Sequence, residues 1–297
     1  MNARLGPWRQ ALARSRRRPL GVAALALLVV LVVVGALAGV IAPYYPGQEF
    51  VQFITHPQPP LTAHHFLGTD PLGRDFFTQL LYGIRETSLS ALVCAGGATV
   101  VGVVVGALAG YYGGWFDDVV SWATRVVVAV PAIAVLIVLA VWSRLPLSPL
   151  TDGLWLMGLL WTGIARVTRA MVASLQRNEY VEAAEASGSS GLRVLFRHIL
   201  PNATGAIIVA ATSVIGQSIV IIATVDYLGY GYNQPERPTL GGLLADAANA
   251  TDVVGGPSIT DVWWLYFIPA GLLVLTLLAV AFAGDALDDA LNPTTSS

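Results

Sequence analysis

The sequence predicts an all-α integral membrane protein with six transmembrane helices. Three observations carry that prediction. Hydrophobic residues make up 55% of the 297-residue chain and charged residues only 11%, where a soluble domain carries roughly a quarter; the mean hydropathy is +0.67. Apolar stretches long enough to cross a bilayer, about 20 residues each, recur along the chain. Arginines are shared unequally between the segments that join those stretches.

The first span, residues 20–42, carries no charge and follows a basic segment, 1–19, that holds six arginines. Ala36-Leu37-Ala38 resembles a signal-peptidase site, and Ser15 to Arg18 a twin-arginine signal. The apolar run is longer than the roughly 7–15-residue core of a signal peptide, so it reads as an anchor.

Residues 43–86 form a long outer loop. Thr69-Asp70-Pro71 reads there as a helix start, a polar cap followed by proline. Phe76, Phe77, Leu80, Leu81 and Ile84 then share one helical face beside Arg74, Asp75, Gln79 and Arg85. The pattern fits an amphipathic helix lying on the outer surface, or an ordinary packed loop helix.

Residues 87–284 hold the other five spans: Thr87–Gly110, Val119–Trp142 with only Arg125, 153–172 with Arg166 and Arg169 near its end, Thr204–Val225, and Val262–Gly284. Pro131 and Pro269 fall inside spans, where neighbouring helices absorb the kinks. Ala98, Gly102, Gly106 and Gly110 recur every four residues, and so do Gly35 and Gly39; such stripes let helix backbones approach closely in lipid. The second long outer loop, 228–261, is rich in Gly, Pro, Asn and Asp and is expected to be mostly turns. Residues 285–297 form a short tail.

Orientation follows from arginine placement. With the N-terminus in the cytoplasm, twelve arginines lie inside and four (Arg74, Arg85, Arg144, Arg237) outside. Six spans return the C-terminus to the cytoplasm.

Several function classes drop out. The chain has no lysine, so a phosphate-binding loop of the G-x-x-x-x-G-K-[ST] type cannot form; if ATP drives this protein, another chain binds it. Cys94 is the single cysteine and sits in an apolar run, so it reads as a small buried hydrophobe. His64 and His65 have no ligand-spaced neighbours and read as loop residues. No catalytic or metal-ligating set is expected. The spans hold no chain of carboxylates or histidines of the kind a self-sufficient carrier needs; Gln217 and a few hydroxyls lie near mid-span, with Asp226 near an outer end.

The most patterned polar segment lies between the fourth and fifth spans. Glu179, Glu182 and Glu185 are spaced by three and share one face of a short helix. Gly188, among Ser187, Ser189 and Ser190, permits a sharp turn. Leu192, Val194, Leu195 and Phe196 begin a second short helix with Arg193 and Arg197 on its polar side, and Pro201-Asn202 mark the entry to the fifth span. The segment reads as a docking element held at the membrane face.

This segment also carries a resemblance. Glu182-Ala183-Ala184, Gly188 and Ile199-Leu200-Pro201 resemble the EAA loop of binding-protein-dependent ABC-transporter permeases. His198 stands where an Ile is general, as in the peptide branch. Further stretches resemble the C-type subunit of dipeptide/oligopeptide permeases: HFLGTDPLGRD (65–75), LYGIR (81–85), YYGGWFD (111–117), ARVTRA (165–170), FRHILPN (196–202), YLGYG (227–231) and GDALDDALNP (284–293). The chain departs from that pattern at Ile222, Leu240 and Asp288 and in a longer loop around 249–260.

The resemblance implies a type I ABC importer permease (MetI-like) fold with an extra N-terminal helix and a cytoplasmic coupling helix. It implies a multi-pass subunit of the bacterial plasma (inner) membrane that forms half of the pathway for di- or oligopeptides; relatives also carry nickel chelates, glutathione or haem. The implied partners are a second homologous permease subunit, two ABC ATPase subunits that hold ATP and Mg, an extracytoplasmic solute-binding protein and the lipid bilayer, with no nucleic acid. This chain would bind no cofactor and catalyse nothing. The implied ATPase-coupling residues are Glu179, Tyr180, Glu182, Ala183, Ala184, Glu185, Gly188, Arg193, Arg197, His198 and Pro201, within an element spanning 179–201. A self-sufficient channel or carrier, and a membrane scaffold that transports nothing, are the rival readings.

Overall fold

The computed structural model describes residues 19–50, 57–62, 65–143, 148–232, 234–252 and 257–291. The basic segment before Pro19, His64, Arg144 and the tail beyond Leu291 lie outside the described residues. Among the described residues the chain is helical, with no β-strand. The helices are α1 (Pro19–Ala36), α2 (Ala38–Ile41), α3 (Phe76–Tyr112), α4 (Gly114–Ala129), α5 (Ala132–Trp142), α6 (Pro149–Leu175), α7 (Glu179–Ala186), α8 (Gly191–Val194), α9 (Leu200–Tyr227), α10 (Leu240–Asp252) and α11 (Trp263–Leu291).

Four helical runs are long and apolar enough to cross a bilayer: α1, α3, the continuous run Gly191–Tyr227, and Trp263–Asp289. The α4 and α5 helices reach that length only together, and the pair is bent by 79° at its break. The kink expected at Pro131 within Val119–Trp142 is thus a full break between two helices. Proline pushes its predecessor out of the helical region; Val130 is extended (φ −91°, ψ 127°), and Pro131 restarts the chain as α5. Helix α6 is 27 residues long, about 40 Å at 1.5 Å per residue, but Asp152, Arg166 and Arg169 keep it less apolar than the others. It begins at a capping box, in which Thr151 N–H donates to Ser148 Oγ (3.1 Å) and Ser148 N–H to Thr151 Oγ1 (2.8 Å).

Helices α3 and α6 form the principal packed pair, and the small-residue stripe explains why. A Cβ on Gly102 would stand 2.7 Å from the Trp161 carbonyl oxygen, one on Gly106 2.3 Å from that of Ala165, and one on Gly110 2.6 Å from that of Arg169. Backbone meets backbone there, which only glycine allows. Gly35 of α1 faces backbone too, less tightly: a Cβ there would stand 3.0 Å from Arg85 Cα. The central core joins Cys94, Ala95 and Ala98 of α3 to Leu136, Leu156, Ile164, Val214, Ile222 and Val225.

The two long loops differ from expectation. No separate amphipathic helix precedes the second span, because α3 is continuous from Phe76. Its first turns are packed, with Phe76, Leu80 and Ile84 buried against Leu240, Leu243, Ala247, Trp264 and Leu265. Thr69-Asp70-Pro71 does not start a helix either. The Asp70 carboxylate is engaged in a tight turn, accepting from Leu72 N–H (2.9 Å), Arg74 N–H (2.8 Å) and Arg74 Nε (2.6 Å). The cap is Asp75, which accepts from Thr78 N–H (2.8 Å) and whose other oxygen lies 2.7 Å from His65 Nδ1. His65 is therefore a buried structural residue rather than a free loop histidine. Arg74 also reaches Asp246 of α10 (3.0 Å), clamping one loop onto the other. Burial raises the pKa of Asp70, and the Arg74 guanidinium and the two N–H groups pull it back.

The 228–261 loop is not mostly turns, since α10 occupies 13 residues of it. Leu240, Leu243 and Ala247 give that helix a buried face. Gly241 sits so close to α9 that a Cβ would come within 2.2 Å of the Ala223 carbonyl oxygen. Helix α11 runs through Pro269 and on to Leu291, so the segment from Asp285 to Leu291 is helical.

Candidate functional site

The docking element predicted at 179–201 begins four residues past the end of α6. Helix α7 is short and two-faced. Its buried face is Val181, fully enclosed, with Ala184 half-buried beside it. Its other side exposes Glu179, Tyr180, Glu182, Ala183, Glu185 and Ala186. The three glutamates are all on the surface. Ala184 turns partly inward while Ala183 stays out, so the two expected contact alanines have different surroundings. Glu179 and Glu182 lie in the first turn, where carboxylates favour the positive end of the helix dipole.

The turn after α7 is a Schellman motif. Ser189 N–H donates to Ala184 O (3.3 Å) and Gly188 N–H to Glu185 O (2.9 Å), with Gly188 left-handed at φ +82°. This is the sharp turn that Gly188 was expected to permit.

The expected helix-turn-helix needs correction beyond that turn, because the second short helix does not stand alone. Gly191–Val194 passes through a π-helical turn, Leu195–Ile199, straight into α9. Pro201 has no N–H to offer the Arg197 carbonyl and its ring crowds it; the backbone widens to wider-spaced bonds just before that proline, as π-turns do. Pro201 thus sits well inside the continuous run Gly191–Tyr227 rather than at the entry to a new helix. Val194, Leu195 and Ile199 are fully buried with Val181, Val172 and Ala107. Helix α7 is therefore fastened to the roots of α9, α6 and α3 together. Arg193, Arg197, Leu192 and Phe196 point outward, and neither arginine forms an ion pair among the described residues. His198 is half-buried, and its carbonyl accepts from Asn202 Nδ2 (2.7 Å).

Two further contacts hold this end together, and sequence reasoning did not single them out. Tyr111, next to last in α3, donates its hydroxyl to Glu185 Oε1 (2.8 Å), and it covers Gly191, where a Cβ would meet the hydroxyl oxygen at 3.0 Å and the ring at 3.1 Å. Arg169 of α6 makes a two-pronged ion pair with Asp117 of α4. The partners are 74 and 52 residues apart, so no local pattern links them.

A groove of about 570 Å³ opens between the α4–α5 break, α6 and α9. Val127, Pro131 and Val214 give it apolar walls, and Thr162, Arg166 and Gln217 give it polar groups.

Known proteins resemble this chain along most of its length. Residues 102–297 match a family described as "Binding-protein-dependent transport system inner membrane component", and residues 6–60 match "N-terminal TM domain of oligopeptide transport permease C". The chain is 32% identical to an oligopeptide transport system permease protein of Mycobacterium tuberculosis, over 96% of this chain and 94% of the relative. It is 32% identical to a dipeptide transport system permease protein of Bacillus subtilis, over 94% and 83%. It is 30% identical to a glutathione transport system permease protein of Pectobacterium atrosepticum, over 97% and 91%.

Proposed function

This chain belongs to the family of binding-protein-dependent transport system inner membrane components, and we propose that it is the membrane-spanning subunit of an ATP-driven importer of di- or oligopeptides. In this reading six spans cross the bilayer: α1, α3, the broken α4–α5 pair, α6, Gly191–Tyr227 and α11. The N- and C-termini and the 179–201 element face the cytoplasm, where two ABC ATPase subunits engage the exposed side of α7. The loop clamp of Arg74, Asp70 and Asp246 faces outward, toward an extracytoplasmic solute-binding protein. The groove beside the α4–α5 break is half of the pathway, closed by a second homologous permease subunit.

One observation carries this reading: an acidic, solvent-facing helix whose opposite face is bolted to three spanning helices at once. A partner that grips α7 cannot move it without moving the roots of α3, α6 and α9. Glu182, Ala183 and Tyr180 supply the exposed grip, Gly188 the bend, and Arg193 and Arg197 a flanking positive rim. Coupling requires only that the ATPases bind the two permease conformations unequally. ATP and Mg belong to those partners.

Peptide cargo is favoured by the named oligopeptide and dipeptide relatives, and glutathione, named for the third relative, is itself a tripeptide. The test is reconstitution of the whole complex with Glu182→Lys in this chain. The charge reversal is expected to cut both ATPase co-purification and peptide-stimulated ATP hydrolysis; assembly and hydrolysis equal to wild type would refute the assignment.

A further inference from the structure

At the end of the bundle opposite α7, two buried carboxylates face each other's cavity without a partner. Asp152 lies in the first turn of α6, and Asp226 is the penultimate residue of α9. Asp226 is 1% exposed and Asp152 7%. Both oxygens of Asp226 and Oδ2 of Asp152 make no hydrogen bond. Both residues line one small cavity, walled by Leu136, Ile222, Trp155 and Gly231, with about 10 Å³ of room, enough for one water-sized guest. Gly231 leaves the carboxylate its space: a Cβ there would stand 1.7 Å from Asp226 Oδ1.

The surroundings do not neutralise this pair. The Thr239 hydroxyl and the Tyr232 N–H face Asp226, yet neither closes a hydrogen bond to it. The cation of the adjoining loop, Arg237, is exposed and acts on Tyr232 and Glu86. Asp226 also sits at a helix C-terminus, where the dipole repels negative charge. Burying one unpaired carboxylate is unfavourable, and two facing one cavity are more so.

We propose that Asp152 and Asp226 form a binding site for a single hard divalent cation of the calcium and magnesium class. Three carboxylate oxygens without partners belong to residues that line one space of ionic size. Two negative charges balance one divalent ion, and an all-oxygen donor set selects hard cations over soft ones. Among the described residues no group of three or more metal-ligating side chains gathers, so water on the cavity's open side completes the shell, as such ions accept. The bound ion ties the end of α6 to the end of α9. Such a site needs only these two helix ends and is independent of the import reading.

The experiment uses the assembled transporter in nanodiscs, stripped with EDTA and dialysed. Terbium(III) is the probe, excited through Trp155 in the cavity wall, with calcium as competitor. The expected result is saturable emission that calcium displaces, weakened roughly ten-fold or more in affinity by Asp226→Asn and by Asp152→Asn. Partner subunits are common to all samples, so the difference between samples isolates this site. Asn is isosteric and neutral, so the fold is kept; thermal unfolding provides the second readout. Calcium raises the unfolding midpoint of the wild type and leaves that of Asp226→Asn unchanged. Terbium emission equal in wild type and both variants, or a midpoint in the wild type insensitive to calcium and magnesium, would overturn the proposal and leave protons to neutralise the pair.

Discussion

Gly106→Ala is the sharpest probe of how the bundle is built. The added methyl would lie 2.3 Å from the Ala165 carbonyl oxygen, 2.9 Å from its Cα and 3.0 Å from its carbonyl carbon, where ordinary contact is 3.4–4 Å. All three atoms are backbone, so no side chain can swing away. Helix α6 would have to retreat by about 1 Å, and Gly102 and Gly110, which touch the same helix one turn to either side, would lose their contacts with it. Overpacking of this kind costs about 1–3 kcal/mol. The better helix propensity of alanine returns about 1 kcal/mol, leaving a net loss of up to about 2 kcal/mol. Gly96→Ala on the same helix is the control, since its Cβ meets nothing within 4 Å; it is expected to be neutral or stabilising by up to about 1 kcal/mol. The assay is thermal unfolding of the purified subunit in one detergent. Equal shifts for the two variants would refute the claim that α3 and α6 meet backbone to backbone at Gly106.

Three further outcomes are expected. Arg74→Met leaves Asp70 buried and without its cation, a loss of about 3–5 kcal/mol, read as a lower unfolding midpoint and faster protease cleavage in the 57–75 loop. Gly188→Ala forces a side chain into the left-handed region at φ +82°, costing about 1–2 kcal/mol, and should weaken ATPase association more than it lowers the stability of the isolated subunit. Tyr111→Phe removes the hydrogen bond to Glu185 at a loss of about 0.5–1.5 kcal/mol; it should leave assembly intact while reducing peptide-stimulated ATP hydrolysis, measured in proteoliposomes.

Much of the fold is readable from hydropathy alone, because lipid-crossing helices need long uncharged runs and this chain has them. The glycine stripe of α3 is readable for the same reason, as close packing in lipid leaves a four-residue signature. The loops mislead where a local signal has a competing use. Thr69-Asp70-Pro71 has the composition of a helix start, but Asp70 is engaged in the Arg74 turn, and the true cap is Asp75, five residues on. The 228–261 loop is dominated by turn-forming residues, while Leu240, Leu243 and Ala247 already carry the spacing of a helix. At the docking element, Gly188 and the three glutamates fall where their spacing puts them. The continuity of α8 into α9 is hidden, because a proline usually marks a helix boundary and this one instead widens one turn. Tyr111 with Glu185, and Asp117 with Arg169, are long-range pairs; only the folded arrangement brings them together.

The central claim is that the exposed face of α7 is gripped from the cytoplasm by a separate ATPase. Ala183→Cys tests it most directly. Ala183 is exposed and the natural Cys94 is fully buried, so a thiol reagent meets one site. Predicted is a cross-link between Cys at this position and the partner ATPase, with a yield that changes on adding ATP, and no labelling of intact cells by a membrane-impermeant maleimide. Labelling of intact cells from outside, or a complete absence of cross-link to the ATPase in the active complex, would contradict the account.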